Sequence, residues 1–231
     1  MRTAMDPEII TGLRWPRDKE KIYGIQEEII QRVRIEPLLA YPSVVAGVDA
    51  SFTDDRIIGV ACLMGFPGLD CLEDSSVVTE SEFPYVTGYL SFREGPAVAK
   101  ALKGLKRMPD LLIFDGQGIA HPRGLGIAAF MGALLDMPSI GCAKTRLVGE
   151  YVEPGPKRGD YSPLIHKGVE VGAVLRTQDN VKPLFVSPGH RIDIKGAVDI
   201  VLSSAPKYRL TEPIRRADAL SRKIKMEMRK A

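Results

Sequence analysis

Four acids stand where carboxylates can do chemistry together. Asp49 lies within or at the end of the apolar stretch Val44–Phe52, and Glu94 at the entry of a helical stretch. Asp115 follows Leu111–Phe114, a short unbroken apolar run of the kind found in strands buried on both faces. Asp218 lies in the last helical segment. In a sheet where the first and fourth strands are neighbours, Asp49 and Asp115 come side by side. Two bare carboxylates at such range repel and raise each other's pKa. A hard divalent cation removes that penalty, and magnesium prefers a few oxygen ligands together with waters and a substrate phosphate. Such a site suits phosphodiester hydrolysis, because the metal activates a water and neutralises charge on the leaving oxygen. Simpler roles stay open for each acid singly: Asp49 is suited to capping a turn with Ser51, and Glu94 to neutralising Arg93.

The residues after Asp115 strengthen the case. The chain turns through Gly116 and Gly118, where no side chain obstructs an approaching ligand. His121, Pro122 and Arg123 then add a titratable ring, a rigid kink and a phosphate-reading fork. Open α/β sheets place ligands at the carboxyl ends of such strands. An ordinary strand-to-helix loop would also use Asp and Gly as turn formers. No glycine-rich fingerprint follows the first strand, which excludes a plain dinucleotide-binding fold.

Positioning these groups requires a mixed sheet with helices on its faces. Residues 1–16 have no clear period, and 1–17 reads as an extended lead-in. Asp18 is placed to cap a helix through Arg34, with Ile22, Ile25, Ile29 and Val33 at helical spacing; Pro37 and Pro42 end it. Strands are expected at 44–52 and 56–64 as an antiparallel pair about Asp54 and Asp55, then at 77–83. An aromatic-rich loop opens a helix running to about residue 107, ahead of the strand at 111–114. A helix at 124–135 and a strand at 139–143 deliver Lys144. Residues 151–163, with Pro154, Gly155, Pro156 and Gly159, read as a surface loop. Strands at 169–175 and 184–187 precede closing helices at 192–203 and 212–230. His190 is expected to order its own turn and His166 to lie in solvent.

The 231 residues fit a single domain spanning 1–231, with 45% hydrophobic and 26% charged residues, ordinary values for a soluble globular protein. Net charge is +3, concentrated in a basic C-terminal helix at 212–231 with seven Lys or Arg against three acids. That permits nucleic-acid binding, although a solvated helix face has the same composition. Cys62, Cys71 and Cys142 lack zinc-type spacing; Cys62 and Cys142 read as buried small hydrophobes. No signal peptide and no apolar stretch of transmembrane length is visible, so a cytoplasmic protein without a membrane partner is expected.

Several motifs, in order, resemble the endonuclease V family. They are Val45-Ala46-Gly47-Val48-Asp49, Pro84-Tyr85, Gly88 through Pro96, Asp115 through Arg123, and Ile140-Gly141-Cys142-Ala143-Lys144. Phe185 through His190 and Glu212-Pro213-Ile214-Arg215 continue the likeness, which runs from about residue 20 to 223. The resemblance implies an α/β, ribonuclease-H-like mixed sheet with helices on both faces. It also implies a magnesium-dependent deoxyribonuclease of DNA repair, with manganese able to substitute. Such enzymes recognise deoxyinosine and other deaminated bases in DNA. They hydrolyse the second phosphodiester bond 3′ to the lesion, leaving 3′-OH and 5′-phosphate ends.

The resemblance assigns Asp49, Asp115 and Glu94 to the metal, Lys144 to the scissile phosphate or attacking water, and His121 to the same neighbourhood. Asp218 falls where the family has an acid or a histidine. Pro84, Tyr85, Val86 and Thr87 match a wedge that fills the gap left by an extruded base. The usual second proline of that wedge is Thr87 here, which frees a backbone angle and restores an N–H. Gly88, Leu90, Gly116 and Ile127 match the base pocket. A core role for Tyr85, a structural salt bridge for Lys144 and a loop hydrogen bond for His121 remain alternatives. A ribonuclease acting on inosine-containing RNA and a non-catalytic lesion-binding protein are the competing functions. The retained acids and Lys144 speak against the second. A monomer is expected.

Overall fold

Alternation along the strands decides the layers. The computed structural model describes residues 15, 19–53, 55–80 and 90–230. Its strands are β1 (Val44–Phe52), β2 (Arg56–Gly65), β3 (Cys71–Glu80), β4 (Leu111–Phe114), β5 (Ser139–Ala143), β6 (Tyr161–His166), β7 (Val169–Leu175) and β8 (Leu184–His190). They form one eight-stranded sheet in the order β3-β2-β1-β4-β5-β8-β7-β6. β4 runs parallel to both β1 and β5, and the remaining pairs are antiparallel. The helices are α1 (Lys19–Ile30), α2 (Leu90–Lys103), α3 (Ile127–Leu135), α4 (Ile194–Ser203) and α5 (Glu212–Met228).

Val44, Ala46 and Val48 of β1, with Leu112 and Phe114 of β4, pack into a core with α1, α2 and α3. The intervening Val45, Leu111 and Ile113 join Ile140, Cys142, α4 and Ile214 of α5 in a second core on the opposite face. Period-2 alternation therefore puts Gly47 and Asp49 on the α5 side. This is the ribonuclease-H-like mixed sheet with helices on both faces that the resemblance implied. Trp15 adds to the first core, its ring 6.0 Å from Phe92 and 5.9 Å from Phe130.

Several boundaries differ from the expected ones. β3 begins six residues earlier than 77, because Glu73 and Asp74 hide the alternation of a strand at the edge of the sheet. β6 occupies part of the expected surface loop 151–163 and continues through His166. It is the opposite edge strand, where Pro163 is tolerated because only one neighbour needs backbone donors. β8 runs on through Pro188 and Gly189 to His190, with a register shift opposite Ser139 and Ile140. α2 stops at Lys103, just before Gly104, and α3 starts at Ile127 rather than 124. The expected cap at Asp18, the end of the strand placed at 77–83 and most of the lead-in lie outside the described residues.

Two histidines are also corrected. His166 is half-buried at the end of β6, with Nε2 shielded from solvent, because the strand continues where a loop was expected. His190 does not order its own turn; its buried ring links three segments. Nδ1 accepts from the Arg34 backbone N–H at 3.2 Å, so Nε2 carries the proton and donates to Asp136 at 3.1 Å. Asp136, in a left-handed conformation at the C-terminus of α3, also receives Arg34 at 2.6 Å and Arg191 at 2.7 Å. This cluster fastens the segment after α1 to the rest of the molecule.

The contact that sets the site is the docking of α5 on β1. Pro213, at the start of α5, lies so close to β1 that a Cβ on Gly47 would stand 2.0 Å from the Pro213 carbonyl oxygen. Only a residue without a side chain lets the helix sit there. Gly47→Ala is expected to destabilise the protein by at least about 2 kcal/mol through forced separation of helix and strand. Gly24→Ala in α1, which has nothing within 4 Å of the added carbon, is expected to be neutral or to stabilise by about 0.5–1 kcal/mol. Thermal or urea unfolding of the two variants measures both, and equal behaviour would refute the docking argument.

Candidate active site

The register of β1 and β4 brings the first two carboxylates together. Val48 pairs with Phe114, and the Asp115 backbone N–H donates to the Val48 carbonyl at 3.3 Å. Asp49 and Asp115 therefore leave neighbouring parallel strands at equivalent points. α2 carries Glu94 in its first turns, and α5 carries Asp218 one turn beyond Ile214. Ser51, two residues after Asp49, receives a hydrogen bond from Ser221 of α5 at 2.6 Å, which locks helix to strand. β1 continues through Phe52, so Asp49 caps no turn with Ser51.

Electrostatics couple Asp49 to Asp115 and Asp218, and Glu94 to Asp49 and Asp115. Burial, then repulsion by Asp115 and Asp218, pushes the Asp49 carboxyl up to about 6. Burial, then Asp49, pushes Glu94 up to about 8; Arg93 opposes this and Asp115 adds to it. Arg93 places its guanidinium 4.1 Å from the centre of the Phe52 ring.

Lys144, delivered by β5, ends with Nζ 2.5 Å from Asp115 Oδ2. Burial works against its charge, but Asp115, Asp218 and Asp49 together hold its pKa above the ordinary value. The lysine side chain is 40% exposed and the aspartate 17%, so the ammonium sits at the mouth of the cluster.

The loop after Asp115 is gripped closely by backbone. A Cβ on Gly141 of β5 would lie 2.2 Å from the Gly118 nitrogen. Gly118 N–H donates to Ser187 Oγ at 2.8 Å, and the Gln117 amide donates to the Thr145 carbonyl at 3.1 Å. Gly116 and Ile127 are brought together: a Cβ on the glycine would meet the isoleucine methyl at 2.7 Å. Leu90 opens α2 and is exposed. Gly88 and the wedge residues Pro84, Tyr85, Val86 and Thr87 lie outside the described residues.

His121 is half-buried, with Nδ1 accepting the Arg123 N–H at 3.3 Å, so Nε2 is its protonated nitrogen. Burial, then Arg123, lowers its pKa to about 4, and the ring is neutral near pH 7. Among the described residues no hydrogen bond or ion pair joins it to the four acids. Arg123 itself turns to α1, donating to Gln26 at 2.5 Å and lying 4.5 Å from the Tyr23 ring centre.

The donor set suits a hard cation: oxygen donors only, with two of the carboxyls raised by burial and by neighbouring carboxylates. Among the described residues no three His, Cys, Asp or Glu side chains stand close enough to ligate one ion as placed.

Sequence reasoning missed Arg209, which donates to the Lys144 carbonyl at 2.9 Å and the Pro183 carbonyl at 2.8 Å. It also missed Ser187 and the docking role of Gly47. Arg209 lies in a loop without periodicity, so no local signal marked it.

A family model described as Endonuclease V matches residues 27–219. Endonuclease V of Dictyoglomus thermophilum is 50% identical over 204 residues, covering 88% of this chain and 90% of that protein. That of Dictyoglomus turgidum is 46% identical over 211 residues, covering 91% and 92%. The crystal structure of endonuclease V from Streptomyces avermitilis superposes with a TM-score of 0.89 at 41% identity, covering 93% of this chain and 96% of that one. A Ciona intestinalis endonuclease V variant, solved with DNA containing an inosine followed by a ribo-adenosine, gives 0.80 at 25% identity, covering 91% and 99%. No helix among the described residues is long and apolar enough to cross a membrane.

A pH response follows from the raised carboxyls. Their folded pKa values of about 6 and about 8 exceed the ordinary 3.8 and 4.5, so the folded protein holds more protons across that interval. Stability is then full at acidic pH and falls as pH rises through 6 and on through 8. The melting temperature in chelator is expected to drop between pH 5 and pH 8.5, and Glu94→Gln to flatten the upper part of the drop. Added magnesium is expected to restore the loss at high pH. Parallel melting curves for wild type and variant would contradict the assignment of Glu94.

Proposed function

The chain belongs to the endonuclease V family, and from that premise we propose that it nicks DNA beside deaminated bases, using magnesium held by Asp49, Asp115 and Glu94. The observation that carries the reading is the placing of Asp49 and Asp115 at equivalent points of neighbouring strands β1 and β4, with Asp218 and Glu94 electrostatically coupled to Asp49 and Lys144 on Asp115. Asp49 and Asp115 supply ligand oxygens from a rigid sheet, and Glu94 closes the set from α2. A magnesium ion bound there would supply Lewis-acid stabilisation of charge building on the phosphate oxygens. Asp218 adds to the rise of Asp49, and manganese would satisfy the same oxygen donors.

Lys144 has a raised pKa and a partly exposed ammonium, so it remains charged and can meet the scissile phosphate as it arrives. His121, neutral with its proton on Nε2, is suited to donating one hydrogen bond and not to serving as a cation. Gly116 and Ile127 form a wall for an extruded purine, with Gly88 and Leu90 assigned to the same pocket. Extracting a base costs a few kcal/mol, least where pairing is already weak. Pro84, Tyr85, Val86 and Thr87 would offset part of that cost by stacking into the gap.

The substrate we assign is duplex DNA with deoxyinosine, cut at the second phosphodiester bond on the 3′ side to give 3′-OH and 5′-phosphate. The protein would act as a single-domain monomer in the cytoplasm. Support for the substrate comes from the Ciona relative, whose complex contains inosine.

A nicking assay on duplexes with and without one deoxyinosine, in magnesium or in chelator, tests this directly. Cleavage should require both the lesion and the metal. Asp49→Asn and Asp115→Asn should each lower the rate by about a hundredfold or more while leaving lesion binding measurable. Wild-type rates in either would defeat the ligand assignment. An inosine RNA of the same sequence, cut faster than the DNA, would move the protein to ribonuclease chemistry. Tyr85→Ala should weaken discrimination between lesion and normal duplex more than overall DNA affinity; equal losses would remove the wedge.

A further inference from the structure

The loop between α4 and α5 gathers cations that the reaction as described leaves unused. Arg209 lies beneath Lys144, with one guanidinium nitrogen shared between the Lys144 and Pro183 carbonyls. Its Nε is buried without a hydrogen-bond partner, and among the described residues no carboxylate pairs with it. Burial lowers its pKa, the direction expected for a cation that has lost water without gaining a counter-ion.

The adjoining Tyr208 is 42% exposed. The Arg215 guanidinium carbon sits 3.4 Å from its ring centre, and the Lys207 ammonium 5.5 Å from it. Glu212 is the acid paired here, and it stands 3.7 Å from Arg215 Nε, beyond hydrogen-bonding distance. Two cations thus flank an aromatic ring, with Arg209 next in the chain and one carboxylate among them. The patch is continuous with the site in two ways. Arg209 holds the Lys144 backbone, and Arg215 precedes Asp218 by one turn of α5.

A partner for this patch must bring regularly spaced negative charge and flat apolar faces. A polynucleotide strand has both: phosphates for Arg and Lys, and bases that stack on an aromatic ring whatever the sequence. The Arg209 bond to the Lys144 carbonyl sets this loop next to the residue assigned to the scissile phosphate.

We propose that Lys207, Tyr208, Arg209 and Arg215 form a subsite for the nucleotide flanking the scissile phosphate, with Arg209 and Lys207 on its phosphate and the Tyr208–Arg215 stack against its base or sugar. The subsite rests on the nuclease reading above and adds the path of the strand beyond the cut. Its role is to hold substrate, so its loss acts on binding and not on the chemical step.

Single-turnover nicking of a deoxyinosine duplex in magnesium separates the two, giving a half-saturating enzyme concentration and a maximal rate. Tyr208→Ala is expected to raise the half-saturating concentration about tenfold and leave the maximal rate within about twofold. Tyr208→Phe, which keeps the ring, is expected to behave as wild type. Lys207→Gln is expected to reduce the slope of log affinity against log salt by about one. Melting curves confirm that each variant is folded. Unchanged half-saturation and salt slope in folded Tyr208→Ala and Lys207→Gln would overturn the subsite, as would a loss confined to the maximal rate. If wild type itself fails to nick the duplex, the nuclease reading falls and the subsite falls with it.

Discussion

Asp49 and Asp115 leave adjacent parallel strands one residue past their last shared register, so their carboxyl groups are neighbours by construction. Glu94 and Asp218 reach the same region from two helices on different sides of the sheet. Like charges brought together with reduced access to water resist being ionised at once, and the upward shifts of Asp49 and Glu94 follow from burial first and from that repulsion second. The rest of the molecule has to hold the acids in place against it. Lys144 relieves part of the repulsion.

The holding is done mainly by backbone. α5 sits directly on β1 because Gly47 offers no side chain, and the Ser51–Ser221 hydrogen bond fixes its register. The loop after β4 is pressed against Gly141 and tied to Ser187 and Thr145. Backbone contacts of this kind leave little room for the acids to drift, whereas long side chains would have allowed it. Burial of Cys142 below Asp115, with its thiol pushed up to about 12, keeps that floor apolar and chemically quiet.

Much of this was legible in residue order. Buried strands such as Leu111–Phe114 announce themselves as short apolar runs, and the acids at their ends read as candidates before any coordinates. What stayed hidden has a physical reason in each case. β3 and β6 are edge strands, half exposed, so their sequences are too polar or too proline-marked to show a strand period. His190 gains its role from Arg34 and Asp136, partners far along the chain that no local pattern connects. Gly47 looked like one small residue in an apolar run, and its need appears only when Pro213 is seen against it. Arg209 has no motif of its own because it acts on the carbonyl of Lys144, and a carbonyl leaves no trace in sequence.

The cluster at Asp136 has a thermal consequence. One carboxylate there serves two guanidinium groups and an imidazole, joining the segment after α1 to the end of β8 and the end of α3. The hydration of charged groups becomes less favourable on heating, so a network of this kind, with Asp136 58% and Arg34 50% exposed, loses less to competing water as its internal attraction persists. Hydrophobic adhesion gains nothing comparable over the same range. The segment after α1 is therefore tied by a network whose contribution grows, relative to the apolar core, as the temperature climbs.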